Sequence, residues 1–238
     1  MRNRYCHLCG RRLRGRGWVY TTNGTSGDQV LVICGDCHEN ARRCALCGLP
    51  LSAASLTLPD GRQFCHPCAQ HVVCDLAQAR VLFEQVIDIV AGRLGLHLRI
   101  GADLTLADPH HLRQLAEQMR PEEGIPPEQV IGLFVRKGRR RVMYVLSGLP
   151  QILFIQTVAH EWAHAWQGEN CPLLKDPRVY EGFAEWVAYH TLLALGAVKA
   201  AARMAQRQGL YGDGLRDLLA REQTSGAPAV LAFCRQSE

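Results

Sequence analysis

The sequence predicts an α+β chain of two parts: an N-terminal module holding two structural zinc ions, residues 1–74, and a larger domain with its own metal site, residues 75–238. Three observations predict it. Eight cysteines form four Cys-x-x-Cys pairs, all before residue 75. Beyond them the chain shows apolar patterns of helical and strand period. One helical pattern carries His160-Glu161-Trp-Ala-His164, a spacing that places two imidazoles on one helix face.

Composition bounds the rest. With 47% apolar and 21% charged residues among 238, the chain has ordinary globular usage, which excludes wholesale disorder. The most apolar stretch, Leu149 to Val158, is interrupted by Pro150, Gln151, Gln156 and Thr157, so no membrane partner is expected. Met1-Arg-Asn-Arg-Tyr-Cys has basic residues with no apolar run after them, so the expected location is the reducing cytoplasm. There, paired cysteines point to metal binding rather than to disulfides.

The pairs are Cys6/Cys9, Cys34/Cys37, Cys44/Cys47 and Cys65/Cys68. A two-residue spacer lets both thiolates of a pair reach one ion from a tight turn, and two pairs close a tetrahedral site suited to zinc. Taken in order, the first two pairs make one site and the last two another; an interleaved pairing has the same spacing. Trp18 to Thr22 and Gln29 to Ile33 read as a hairpin turning at Asn23-Gly24. Residues 1–74 hold nine Arg and four acids, so the whole net charge of +5 sits here. Two Zn2+ on eight thiolates bring that to about +1. Arg11, Arg12, Arg14 and Arg16 still cluster, and a solvated loop explains them better than nucleic acid does, so no nucleic-acid partner is expected. His7, His38, His66 and His71 lie near enough to the pairs to be alternate ligands, and Cys74, Cys171 and Cys234 have no pair mates.

In the second domain, Asp75 to Leu94 has a helical apolar stripe that Gly95 ends. A short strand is expected at His97 to Ile100 and a helix from Asp108-Pro109 to Met119. Pro121, Gly124, Pro126 and Pro127 mark a loop. Val130 to Val135 and Val142 to Leu146 read as strands joined by a basic turn. Gln151 to Gln167 is the helix bearing the histidines, ended by Gly168. On a helix, positions i and i+4 differ by about 40° in azimuth and about 6 Å in rise, so both imidazoles can reach one ion. Glu161 can then reach a water that the ion holds.

A second helix, Val179 through Leu195, carries Glu181-Gly-Phe-Ala-Glu185. Glu181 lies 17 residues after His164, room for one chain reversal, so this helix can pack on the first and complete a His2Glu site. Three protein ligands leave the fourth zinc position open, as catalytic sites require. Spacing alone lets Glu181 or Glu185 be the third ligand. Zinc-bound imidazoles usually give their other N–H to an outer carboxylate, and the remaining glutamate suits that part.

Three segments resemble a known family: Tyr144-Val-Leu-Ser-Gly-Leu-Pro150, Ala159-His-Glu-Trp-Ala-His-Ala-Trp166 and Tyr180-Glu-Gly182. They are similar to the peptidase domain of the LIM-domain proteins that limit plant organ size, the DA-one family, over about Cys74 to Leu195. The resemblance implies a compact gluzincin, a His-Glu-x-x-His zinc peptidase with a Glu third ligand. It implies His160, His164 and Glu181 as ligands of a catalytic zinc, Glu161 as general base, and Glu185 outside the ligand set. Cys44-Ala-Leu-Cys47-Gly-Leu-Pro and Phe64-Cys65-His-Pro-Cys68 resemble half of a LIM domain. A LIM pattern has His where Cys34 stands and two residues between halves instead of six, so the module is expected to be a LIM-like zinc ribbon.

The expectation is therefore a zinc metalloendopeptidase acting on protein or peptide substrates, with the LIM-like module recruiting a substrate or partner. Tyr144 to Ser147 is expected to be the edge strand on which an extended substrate lies. Tyr180, Tyr189 and His190 are candidates to steady the oxyanion, with no choice among them. Two rivals fit the same residues: a silent protein-binding scaffold, and a nucleic-acid binder working through the arginine-rich fingers.

Overall fold

The structure is a computed structural model; it describes residues 5–24, 27–119, 126–138 and 140–237. The loop expected at Pro121 and Gly124 lies outside those residues. The chain separates into two compact units, Met1–Val72 and Val73–Glu238. Among the described residues, no helix is long and apolar enough to cross a membrane.

The first unit repeats one motif twice: a cysteine turn, a hairpin, and a short helix begun by a cysteine. In the first copy, Gly10 N–H donates to Cys6 C=O at 2.9 Å, and Gly10 takes φ +69° to close the turn. Strands β1 (Trp18–Gly24) and β2 (Gly27–Ile33) follow, then α1 (Gly35–Asn40), capped by Cys34. In the second copy Gly48 does for Cys44 what Gly10 does for Cys6, with φ +69° and a 2.9 Å bond. Strands β3 (Leu56–Thr57) and β4 (Gln63–Phe64) lead to α2 (His66–Ala69), capped by Cys65. The register of the first hairpin pairs Asn23 with Asp28 and Gly24 with Gly27, so pairing runs through Asn23-Gly24. The expectation of a turn at that dipeptide is corrected: both residues belong to the strand. β5 (Val72–Val73) stands at the sequence boundary between the units.

The second unit begins with α3 (Leu76–Leu94). Asp75 caps it by accepting from Gln78 N–H at 2.8 Å, and Gly95 ends it at φ +68°. The strand expected at His97 to Ile100 is absent. Trp162 Nε1–H donates to Leu96 C=O at 2.9 Å and Arg141 takes Ile100 C=O, so local carbonyls are bound by side chains instead of a ladder. The strand comes later as β6 (Asp103–Ala107), followed by α4 (Pro109–Met119) and a single 3-10 turn, Pro127–Gln129. Next come β7 (Gly132–Lys137), β8 (Arg140–Leu146) and the two-residue β9 (Leu149–Pro150). The main sheet runs β6-β8-β7, with β6 parallel and β7 antiparallel to β8. Period-2 alternation loads both faces of this sheet. Met143 and Val145 join the main core, whereas Leu133, Val135 and Ala107 pack with Leu112 of α4.

Tyr144 to Leu146 therefore lie in the central strand, and the edge-strand expectation for them is corrected. β7 is one edge of this sheet and β6 the other. Leu146 N–H donates to Ile131 C=O at 2.8 Å, making that a bonded pair. Antiparallel alternation then aims the N–H and C=O groups of Gly132 and Phe134 away from β8.

Helix α5 (Gln151–Asn170) packs on β7 and β8 and carries the histidines; α6 (Pro177–Ala194) packs against it. Gly168 does not end α5, contrary to expectation. Asn170 Nδ2–H caps Trp166 C=O at 2.9 Å, and Glu169 forms a buried ion pair with Arg141 of β8, which holds the last turn. Asp176 caps α6 by accepting from Arg178 N–H at 2.8 Å. The core between the two helices is aromatic, with Trp166, Phe183, Trp186 and Phe154 fully buried. Then come α7 (Val198–Ala205), α8 (Leu210–Ser225) and α9 (Ala227–Gln236). α6 and α8 touch backbone to backbone: a Cβ on Gly182 would stand 2.7 Å from the carbonyl carbon of Gly214. Glycine at both positions is what lets the two helices meet.

Candidate metal centres and a glutamate-lined cleft

Three clusters of metal-competent side chains occur among the described residues, and the four cysteine pairs combine in sequence order. Cys6, Cys9, Cys34 and Cys37 converge in one, Cys44, Cys47, Cys65 and Cys68 in another, with the donor sulfurs of each within 4.8 Å. The two are built alike. Cys34 N–H donates to Cys6 Sγ at 3.4 Å, and Cys65 N–H to Cys44 Sγ at the same distance. Backbone donors on a sulfur favour the thiolate, which is the form that binds metal. At Cys44 burial pushes the thiol up, but the N–H groups of Cys47 and Cys65 outweigh it and bring it down to about 6. Cys9 is also brought down to about 6, chiefly by Arg11, whose Nε–H donates to its sulfur at 3.4 Å. Arg11 also pairs with Asp36 at 3.0 Å, so one member of the arginine cluster serves the first cysteine site. The opposite members, Cys37 and Cys68, are pushed up, Cys37 to about 12, by burial and by the thiolates beside them. Four thiols that cannot all ionise beside one another call for a cation, and both S4 sets fit structural zinc.

The four nearby histidines take other parts. His7 Nδ1 meets Val32 of β2, and His38 stacks on Trp18 at 3.7 Å while its Nδ1 meets Tyr20 Oη at 2.7 Å. His66 is paired with Gln70 Nε2 at 3.2 Å. None of these, nor His71, belongs to a thiolate cluster.

The third cluster is His160, His164 and Glu181, buried between α5 and α6. The two Nε2 atoms lie 3.0 Å apart, and Glu181 Oε2 is 3.2 Å from His160 Nε2 and 3.4 Å from His164 Nε2. Tetrahedral bonds of about 2.0–2.1 Å separate ligand atoms by about 3.3 Å, so the triangle has the size that a single zinc ion requires. Its nitrogens are oriented from behind. Gln167 Nε2–H is committed to Tyr180 C=O at 2.9 Å, so its Oε1 accepts from His164 Nδ1–H, also at 2.9 Å. That leaves the His164 Nε2 lone pair facing the triangle. Glu185 Oε1 lies 3.2 Å from His160 Nδ1 and fixes the second imidazole in the same way. The Tyr180 ring lies flat on His164, centroids 4.4 Å apart.

The electrostatics agree with the geometry. Burial alone would lower His160, but Glu181 and Glu185 override it and push it up to about 10. Glu181, buried too, is held well below the usual carboxylate range by His160 and His164. Buried Glu181 and Glu185, with the charge of Glu161 acting on His160, thus make this a place that favours positive charge. Either protons or a divalent ion satisfies it.

These groups open onto a cleft of about 240 Å³. Its floor is α5 and α6. It is also lined by β7 with Val130 and Ile131, by Arg207 of the α7–α8 connection and by Tyr211 of α8. Glu161 reaches the cleft beside β7 because position 132 is glycine. A Cβ there would stand 2.3 Å from Thr157 Cγ2 and 3.0 Å from Glu161 Oε1. Thr157 cannot turn away cheaply, since its hydroxyl donates to Leu153 C=O at 2.8 Å. Gly132→Ala should therefore displace Glu161 or β7 and cost about 1–3 kcal/mol of stability. Denaturant melts would show that loss, and elemental analysis of Gly132→Ala should match that of the parent.

The structure thus brings His160, Glu161, His164, Glu181 and Glu185 to one cleft. Of the oxyanion candidates, His190 is bound to Glu222 at 2.8 Å and lies with Tyr189 away from the cleft lining, and Tyr180 backs His164. Sequence reasoning missed Gln167, Gly132, Arg207 and Tyr211. Only Gln167 carried a signal, one helical turn after His164. No family model, curated protein or solved structure matches this chain.

Proposed function

We propose that the chain is a zinc-dependent endopeptidase, with His160, His164 and Glu181 holding the catalytic ion. One observation carries the reading: three neutral-or-anionic donors at zinc spacing, with a fourth group, Glu161, beside them in a cleft bounded by an open strand edge. Zinc, when bound, would supply Lewis acidity, making water nucleophilic near neutral pH and polarising the scissile carbonyl.

The rest is the work of the protein's own residues. Glu161, one position after His160 and buried at the cleft wall, takes the proton from the attacking water and returns it to the leaving amine. Gln167 and Glu185 hold the imidazole tautomers. Gly132 and Phe134 offer outward N–H and C=O groups, so an extended peptide adds as a strand beside β7 and passes Glu161. Apolar Val130, Ile131 and Leu133 line that wall and receive side chains of the substrate. The two S4 sites shape the first unit, whose hairpin exposes Val19 and Val30 on one face, apolar groups for recruiting a protein partner. A LIM-like role of this kind belongs to the same proposal.

The test is incubation of the zinc-loaded chain with a random peptide library, read by mass spectrometry. New peptide termini that need zinc support the reading, and an unchanged library at full zinc occupancy overturns it.

A further inference from the structure

We infer that Arg207 is a specificity-determining residue that takes a carboxylate of the substrate; the inference rests on the peptidase reading above. Among the described residues lining the cleft, Arg207 is the sole Lys or Arg. Otherwise the cleft presents three glutamates, two histidines and apolar or neutral groups. A lone guanidinium there is a selective feature, because the three glutamates of the same cleft repel an anion.

Its backbone is held tightly while its head group makes a single described contact. Arg207 C=O accepts from Arg216 Nη1 at 2.6 Å, and Arg216 also binds Ala205 C=O at 2.9 Å and the carboxylate of Asp213. Arg207 N–H donates to Met204 C=O at 3.1 Å. Gly212 lets the first turn of α8 close on this carbonyl, since a Cβ there would stand 2.1 Å from it. Two hydrogen bonds and the close approach of Gly212 thus fix where the side chain starts.

The guanidinium makes one described contact, Nη1 to Glu185 Oε2 at 3.4 Å, and its side chain is 46% exposed. That is long for a charge-assisted bond, which prefers about 2.7–2.9 Å and two-pronged geometry. Most of the five N–H donors of the fork are therefore available to the cleft. Glu185 serves His160 through its other oxygen and holds Arg207 by this one long contact. The recognised group is planar and anionic: an Asp or Glu side chain, or the free C-terminus of the substrate chain. Both sources present the same carboxylate, and β7, which lines the same cleft, would hold the peptide backbone that carries it.

The experiment uses the full, zinc-loaded chain and four decapeptide pools. Two pools lack Asp and Glu and differ in ending as a free carboxylate or as an amide. Two are amidated and differ in containing Asp and Glu or Asn and Gln. The parent should prefer the carboxylate member of one pair, which also names the source. In Arg207→Met that preference should collapse by about 10- to 100-fold, the worth of a charge-assisted bond, with the change falling on KM. Arg207→Lys should restore part of it. No preference in either pair, or a fall in kcat that is equal for all four pools, would overturn the inference and confine Arg207 to supporting Glu185.

Binding of the same pools to the zinc-loaded Glu161→Gln chain, followed by fluorescence polarisation, separates the two ideas. Arg207-dependent carboxylate preference in binding, without any cleavage by the parent, would sink the peptidase reading and keep the carboxylate site. Cleavage without preference would do the reverse, and absence of both would remove both.

Discussion

Glu161→Gln should retain three zinc ions per chain and lose at least about 100-fold in peptide hydrolysis, the low end of what a positioned general base contributes. The amide matches the carboxylate in size but cannot accept a proton from water. Glu161 is not one of the three donors that surround the triangle, so its loss leaves the ligand set whole. It is buried, and position 132 is kept free of a Cβ at 3.0 Å from its Oε1, so the substitution changes chemistry with little change in shape. Steady-state rates alongside elemental analysis make the measurement. Hydrolysis within a few-fold of the parent would show that another group is the base.

The two glutamates of α6 should behave unequally. Glu181→Ala removes the oxygen that lies 3.2 and 3.4 Å from the two Nε2 atoms, and should take the chain from three zinc ions to two. The thiolate clusters, in the other unit, should keep theirs. Glu185→Ala removes the acceptor 3.2 Å from His160 Nδ1 together with the partner of Arg207, and should weaken the third ion by about 10- to 100-fold without excluding it. Competition titrations with a chromogenic chelator distinguish the two. The reverse order would move the ligand assignment to Glu185 and leave the rest of the cleft as described.

What the sequence made legible follows from the range of the interactions involved. The four cysteine pairs, the helix holding His160 and His164, and the Glu181/Glu185 helix could all be read, because each is a local spacing on one element. Sequence order also suggested the pairing of the cysteines but left the interleaved one open; only the convergence of Cys6 with Cys34 and Cys44 with Cys65 separates them. The central place of Tyr144 to Leu146 was illegible, because it depends on β6 joining in parallel from the far side. That strand was itself missed, its residues Asp103–Ala107 being displaced in the reading by His97 to Ile100, whose neighbours are bonded by Trp162 and Arg141 side chains. Helix α8 went unread because Gly212 and Gly214 look like breakers. Their function is tertiary: one admits the Arg207 carbonyl and the other the backbone of Gly182. The cleft wall that carries Arg207 and Tyr211 was lost with it.

The most direct measurement is a zinc titration of the chelator-stripped chain in which bound metal and peptide cleavage are read from the same samples. The S4 sites should fill first, since structural thiolate sites bind zinc with about 10–16 kcal/mol near neutral pH. Cleavage should stay at background through two equivalents, rise with the third, and fail to rise in Glu181→Ala. Three zinc ions bound with cleavage still at background would contradict the account.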